Sequence, residues 1–489
     1  MSEAVVIGGG FGGIAAALRL RAKGHEVTIV DRCPRLGGRA QVFERDGFRH
    51  DAGPTVLTAT FLFDELFALF GRKREDYIDF IPLDTWYRFH FHDGSSFNYG
   101  GTAEDTYKEI ERIHSPDAQG YLDLLDHSRK IFDVGFTQLA DQPFHSVGTL
   151  LTQVPNLLRL GCHRSVWQLV SKYLKNENLR RAFSIHPLLV GGNPFETTCI
   201  YSLIHFLERK WGIQFARGGT GALVAALERL MREVGIKIEM NQTVKKISVR
   251  ERRVTGIDLE GGDSLAAQIV VSNVDPLFLY RKLLDSSDYS RFFRLKERKM
   301  QQSMGLFVLF FGTAGTYPEV AHHSIWLGPR FKDLIKEIFH GKDLPDDFSL
   351  YLHRPTATDP SFAPENCDSF YVLAPVPNLN ANIDWKKEGP ALRDRIVKAL
   401  DQSLLPNLES RIRSEFFMTP EDFANDYLSV AGTGFSVAPI FSQSAWFRFH
   451  NRSEAIRNLY LVGAGTHPGA GVPGVLCSAK VMDKVLVDC

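Results

Sequence analysis

A short apolar run at residues 4–7 ends directly in Gly8-Gly9-Gly10-Phe11-Gly12-Gly13, and residues 14–20 then have helical composition. Few folds other than strand, phosphate-binding turn and helix accept that order. Gly8, Gly10 and Gly13 fit G-x-G-x-x-G. The first permits a tight turn, the second lets the backbone approach a pyrophosphate, and the third lets helix and strand pack closely. The helix N-terminus then presents free N–H groups to the phosphates. A second strand at 27–30 ends in Asp31, 18 residues beyond Gly13. A carboxylate there can accept hydrogen bonds from ribose hydroxyls. Strand, turn, helix, strand and acid in that order predict a dinucleotide site around Gly8, Gly10, Phe11, Gly12, Gly13, Asp31 and the adjacent Arg32.

At 489 residues the chain exceeds one ordinary core, so two or three lobes are expected. Its 44% hydrophobic and 23% charged residues suit a folded globular protein. The 57 basic and 57 acidic residues cancel, which removes the electrostatic case for a nucleic-acid partner. An excess of 36 Phe over 14 Tyr suits either a greasy cavity or a large plain core. Six cysteines, at 33, 162, 199, 367, 477 and 489, form no C-x-x-C pair, so neither a metal site nor a disulfide framework is expected. An acid at Glu3 followed at once by a strand does not suit a signal peptide, and no apolar run reaches the ~20 residues of a bilayer span. Reduced thiols and a cytoplasmic location are the expectation.

FAD and NAD share the opening fingerprint, and the residues that follow discriminate. Leu36-Gly37-Gly38-Arg39-Ala40 and Asp51-Ala52-Gly53-Pro54-Thr55 resemble the extension found in flavoproteins of the amine oxidase and carotenoid desaturase superfamily. The resemblance implies FAD, with Gly38 and Arg39 against the flavin nucleotide and Gly53, Pro54 and Thr55 passing near the flavin ring. A second cluster, Arg217-Gly218-Gly219-Thr220-Gly221, opens another helix but has Val224 where a third glycine would be needed, so there is no case for bound NADPH. Residues 237–247 alternate like a strand. Val244 matches the family position whose backbone meets adenine, although its spacing alone describes only a core valine.

Near the C-terminus a strand at 459–462 runs into Gly463-Ala464-Gly465-Thr466-His467-Pro468-Gly469-Ala470-Gly471-Val472, a loop able to approach a flat ligand closely. Pro473 suits the first turn of a following helix, whose N-terminus can stabilise negative charge on a reduced flavin. With Ser478, these residues resemble the signature of bacterial-type phytoene desaturases. So do LLVGGNPF at 188–195, FARGGTGAL at 215–223, FSLYLH at 348–353, YVLAPVP at 371–377 and SQSAWFR at 442–448, and the likeness covers essentially the whole chain.

That resemblance implies FAD-dependent oxidation of saturated C–C bonds, phytoene being converted stepwise toward lycopene or neurosporene. Gly463, Gly465, Thr466 and Val472 would lie at the flavin, and oxygen or a quinone would accept the electrons. Competing readings are a thirty-carbon diapophytoene desaturase, an isomerase or saturase, an amine oxidase, and a prenyl-lipid carrier on the same fold. His186, His205, Glu208 and Arg209 fit structural roles as well as catalytic ones, so no acid or base is assigned. Two departures stand out: Asp31 occupies a position commonly Glu in relatives, and His50, where an apolar aromatic is usual, is expected to face solvent.

Between Asp141 and Glu177 there is no acidic residue, while Arg159, Arg164, Lys172 and Lys175 are interleaved with Leu150, Leu151, Val154, Leu157, Leu158, Leu160, Val166, Trp167, Val170, Tyr173 and Leu174. Pro155 and Gly161 break this into amphipathic pieces that suit a bilayer interface, or equally a helical cap on the core. A substrate soluble only in lipid favours peripheral membrane contact. The expected fold is α/β: a Rossmann-type FAD domain from 1–80, 213–275 and 440–489, a mixed-sheet substrate domain from 81–110 and 276–439, and a helical, membrane-facing insert at 111–212. Nothing in the sequence sets an oligomeric state.

Overall fold

Val5, Val6 and Ile7 make the strand Glu3–Ile7 apolar on both faces, as a central parallel strand must be. In the computed structural model, which describes residues 2–486 apart from 145–146 and 290, this strand lies at the middle of a five-stranded parallel sheet. Across the sheet the order is Leu459–Leu461, Ile269–Ser272, Glu3–Ile7, Glu26–Val30 and Lys237–Glu239. Alternate residues of one strand face opposite cores, as a period of two requires. Ala4 and Val6 join Ile29, Ile269 and Val271 beneath the packed helices Phe11–Ala22 and Val472–Val485. Val5 and Ile7 join Val30 and Val270 against the three-stranded antiparallel sheet spanning Val244–Arg250, Arg253–Leu259 and Ser264–Ala266.

The expected single strand at 237–247 is therefore two. Lys237–Glu239 closes the edge of the parallel sheet and Val244–Arg250 opens the antiparallel one. The chain breaks between them at Asn241, whose φ of 58° is left-handed backbone that asparagine tolerates.

A second, seven-stranded sheet has as its longest strands Gly305–Ala314 and Cys367–Val376, paired antiparallel from Gly305↔Val376 to Ala314↔Cys367. One face buries Phe307, Leu309 and Phe311 against the helix Trp385–Asp401. The other turns Val308, Phe310 and Tyr371 toward the helices between Ala103 and Trp211. Among the described residues no helix is long and apolar enough to cross a membrane.

Candidate active site

Four strands of the parallel sheet deliver their C-terminal ends to one cleft of about 280 Å³, which Gly8, Asp31, Asn273 and Gly463 all line. Open α/β sheets bind ligands at that end. Gly8 has φ of 95°, and a Cβ on Gly13 would sit 1.9 Å from the Gly8 carbonyl oxygen, so helix Phe11–Ala22 can meet its strand only through glycine. The helix's first backbone bond runs from Ile14 N to Gly10 O at 2.9 Å. No side chain caps its N-terminus, and its first turn holds no acid. The first-turn amides and the helix dipole therefore remain available to an anion, which fits a pyrophosphate.

The Asp31 carboxylate is held by two backbone donors: Gly9 N–H to Oδ2 at 2.6 Å and Cys33 N–H to Oδ1 at 2.8 Å. It thus locks the glycine turn while still lining the cleft. Arg32, beside it, donates to the Asn425 carbonyl. Arg39 is enclosed and donates to Ser429 Oγ. Burial lowers its pKa, and the nearby Asp275 charge works against that shift.

A larger cavity, about 390 Å³, adjoins the cleft. Gly53, Pro54, Leu189, Tyr371, Leu373, Phe435 and residues 470–472 line both. Away from this junction the lining is mostly aliphatic and aromatic, including Leu203, Ile204, Leu207, Ile325 and Leu327, with a few polar groups such as Gln153, Thr198 and Ser349; among the described residues Glu208 supplies its one carboxylate. Both Glu208 oxygens are taken: Tyr87 OH donates to Oε1 at 3.0 Å, and His186 Nε2 lies 2.9 Å from Oε2. His467 also lines the cavity, with burial pushing its pKa down to about 3, so it is a neutral wall.

Residues 11–480 match the family model described as "Flavin containing amine oxidoreductase". The chain belongs to that family. It is an FAD-dependent oxidoreductase. The chain is 45% identical over 489 residues to a phytoene desaturase (lycopene-forming) of Pantoea ananas, covering all of this chain and 99% of that protein. It is 41% identical over 494 residues to a phytoene desaturase (neurosporene-forming) of Rhodobacter capsulatus, covering all of this chain and 94% of that one. A crystal structure of an oxidoreductase from Methanosarcina mazei has the same fold, with a TM-score of 0.64 at 17% identity and 98% of each chain covered.

In this flavoprotein the expected cofactor residues do not all behave alike. Gly8, Gly10, Phe11, Gly12, Asp31, Arg32, Gly38, Arg39, Gly53, Pro54, Val244, Gly463 and Val472 line the cleft. Gly13 sits behind it as a packing contact. Thr55 lies on the cavity side, its Oγ1 2.6 Å from Tyr351 OH. Gly465 and Thr466 line neither space: a Cβ on Gly465 would meet Pro276, and Thr466 Oγ1 donates to Gly463 O at 2.9 Å. These two shape the loop from behind.

His50 corrects the solvent-facing expectation. It is 1% exposed, within ring contact of Phe48, Phe310 and Phe416, with Nδ1 3.0 Å from Ser369 Oγ. A strand that sequence places at a sheet end is here covered by the second sheet. Burial lowers the His50 pKa to about 4. Arg209 is structural, stacked over Trp86 and Tyr99 and bonded to Gly100 O, and His205 packs edge-on against His186.

The basic, apolar segment divides. In the helix Val166–Tyr173, Val166, Leu169 and Val170 are core residues, and Trp167 packs on Phe195 and Phe331 rather than facing outward. In the helix Val147–Arg159, Val154 and Leu158 are 37% and 63% exposed while Leu157 and Gln153 line the cavity. The side chains of Leu150 and Leu151 lie outside the described residues.

Sequence reasoning missed Asn273, whose Nδ2 donates to Gly8 O at 3.3 Å. The available signal was its place at the end of the apolar strand Ile269–Ser272, the same place Asp31 and Gly463 hold in theirs.

Proposed function

We propose that this flavoprotein is a phytoene desaturase, introducing double bonds stepwise into a forty-carbon polyene to give lycopene or neurosporene. The observation that carries this reading is the apolar cavity running into the flavin cleft. A hydrocarbon has no polar handle, so its binding must come from buried apolar area at ~25 cal/mol per Å². The lining supplies that surface. A cationic amine would instead need a free anionic partner, and Glu208 is already bound by Tyr87 and His186. FAD, when bound, supplies the acceptor for the hydride.

The chain's own residues orient and exclude. Pro54, Tyr371, Leu373 and Phe435 wall the junction and press the hydrocarbon toward the cofactor, while the apolar lining keeps water away. Helix Val472–Val485 begins at the same junction with no acid in its first turn, so its N-terminus favours negative charge there. The cleft-lining residues named above, from Gly8 to Val472, would hold FAD, with Gly13, Gly465, Thr466 and Thr55 shaping or flanking the site. The domain division expected from sequence is retained in this proposal.

Peripheral membrane contact belongs to the same proposal. Leu158, Val154 and Phe441 (52% exposed) are large apolar side chains on the surface; Phe441 lines the cavity as well, and Val154 and Leu158 neighbour the cavity-lining Gln153 and Leu157 in the chain. A lipid-dissolved substrate would enter there on the cytoplasmic face, and oxygen or a membrane quinone would take the electrons. Anaerobic incubation of FAD-loaded protein with phytoene in liposomes tests the whole reading. Flavin bleaching with more conjugated products is the expected result; bound FAD that never bleaches with phytoene would sink it.

A further inference from the structure

We propose that His322, His323 and His353 form a metal site, taking a divalent cation of the zinc class behind the cavity wall. The antiparallel register of His323–Leu327 with Leu350–His353 puts His323 directly opposite His353, and His322 lies just before the first of these strands. The three residues are 6%, 0% and 0% exposed. One ring nitrogen from each lies within 4.8 Å of the others, and ring centroids are 4.6, 4.8 and 5.3 Å apart. None of the three lines the cleft or the cavity.

Two of the three rings are oriented by hydroxyl groups. His322 Nδ1 is 2.7 Å from Thr358 Oγ1, and His323 Nδ1 is 2.8 Å from Tyr351 OH. Ligating histidines characteristically donate their second ring N–H to an outer acceptor, and with these hydroxyls accepting, the lone pair of each other nitrogen is left for a metal. The Nε2 atoms of His322 and His323, and both ring nitrogens of His353, have no protein partner. A buried polar atom left unsatisfied is destabilising. Three imidazoles grouped this closely would satisfy those nitrogens together by sharing a cation.

Arg354, a cation near His322, is paired with Asp368 at 3.1 Å. An all-imidazole donor set suits zinc, copper, iron or nickel rather than calcium or magnesium. Zinc–nitrogen bonds of ~2.0–2.1 Å need modest inward rotation of the rings. The two strands that carry the ligands also give Ile325, Leu327, Leu350 and Tyr351 to the cavity lining, so the cation would pin that wall. No metal spacing shows in the sequence because the His-His pair and His353 are thirty residues apart.

The test uses full-length, FAD-loaded protein made without a polyhistidine tag. Elemental analysis, before and after exposure to zinc and dialysis, is expected to find zinc stoichiometric with protein. The variant His323→Gln/His353→Asn is expected to lose it while keeping its flavin spectrum. Thr358→Val, which removes only an outer hydrogen bond, is expected to weaken zinc retention against a chromophoric chelator by about 10–100-fold. Wild-type protein that holds no zinc even after loading, as a water-filled cluster would, overturns the proposal. So does zinc that persists in the double variant, or, should that variant not fold, an unchanged zinc affinity in Thr358→Val.

Discussion

The cleft at the parallel sheet and the cavity beside it share nine lining residues, yet one is shaped by backbone and the other by side chains. At the cleft the tolerances are those of atoms in contact: a missing Cβ at Gly13 is the condition for the helix to reach its strand. At the cavity the lining is a set of interchangeable apolar groups, and what matters is volume and the absence of competing polar atoms. Substitutions should therefore be abrupt in the first region and graded in the second.

The largest effect is expected from Gly13→Ala. Its Cβ would meet the Gly8 carbonyl, a backbone atom with no freedom to yield, so the purified variant should carry little or no flavin absorbance. Normal flavin content would break the contrast at its strongest point.

Next comes His50, which lines neither space and lies against Ser369 of the second sheet. Its pKa is about 4 folded, against an ordinary 6.5. The unfolded chain therefore binds the extra proton first, and stability is lost as pH falls from about 6.5 to 4, by about 3 kcal/mol in all. His50→Phe should flatten that part of the acid-denaturation profile; an unchanged profile would mean the imidazole is not confined as described.

Leu203→Trp or Ile204→Trp, both on the cavity lining alone, should cut turnover of phytoene by about tenfold, the equivalent of ~1.4 kcal/mol, with flavin content untouched. Flavin loss in these variants would show that the two sites are not separable. The smallest effect is expected at the exposed apolar groups. Val154→Ser, Leu158→Ser and Phe441→Ser together should weaken liposome co-sedimentation severalfold and leave activity on detergent-dispersed substrate unchanged.

The same contrast explains what the sequence disclosed. Backbone requirements leave glycines at fixed offsets, so the turn at Gly8–Gly13, the acid at Asp31 and the loop at Gly463 could be placed before any coordinates. Their tertiary neighbours could not. Asn273 reaches the cleft only because its strand ends there, and His50 is buried only because Phe310, Ser369 and Phe416, from strands distant in sequence, close over it. The amphipathic segment was legible as composition, but which helix kept its apolar face outward depended on what packed against it. Trp167 found Phe195 and Phe331, while Leu158 remains largely exposed.

Glu208, its oxygens taken by Tyr87 and His186 and the one carboxylate among the described residues lining the cavity, has one further consequence. A hydrocarbon threaded through such a sleeve exchanges like contacts for like as it slides, so no side chain marks where a given carbon should stop. Longitudinal position is then left to the length and shape of the apolar walls rather than to a polar contact along them.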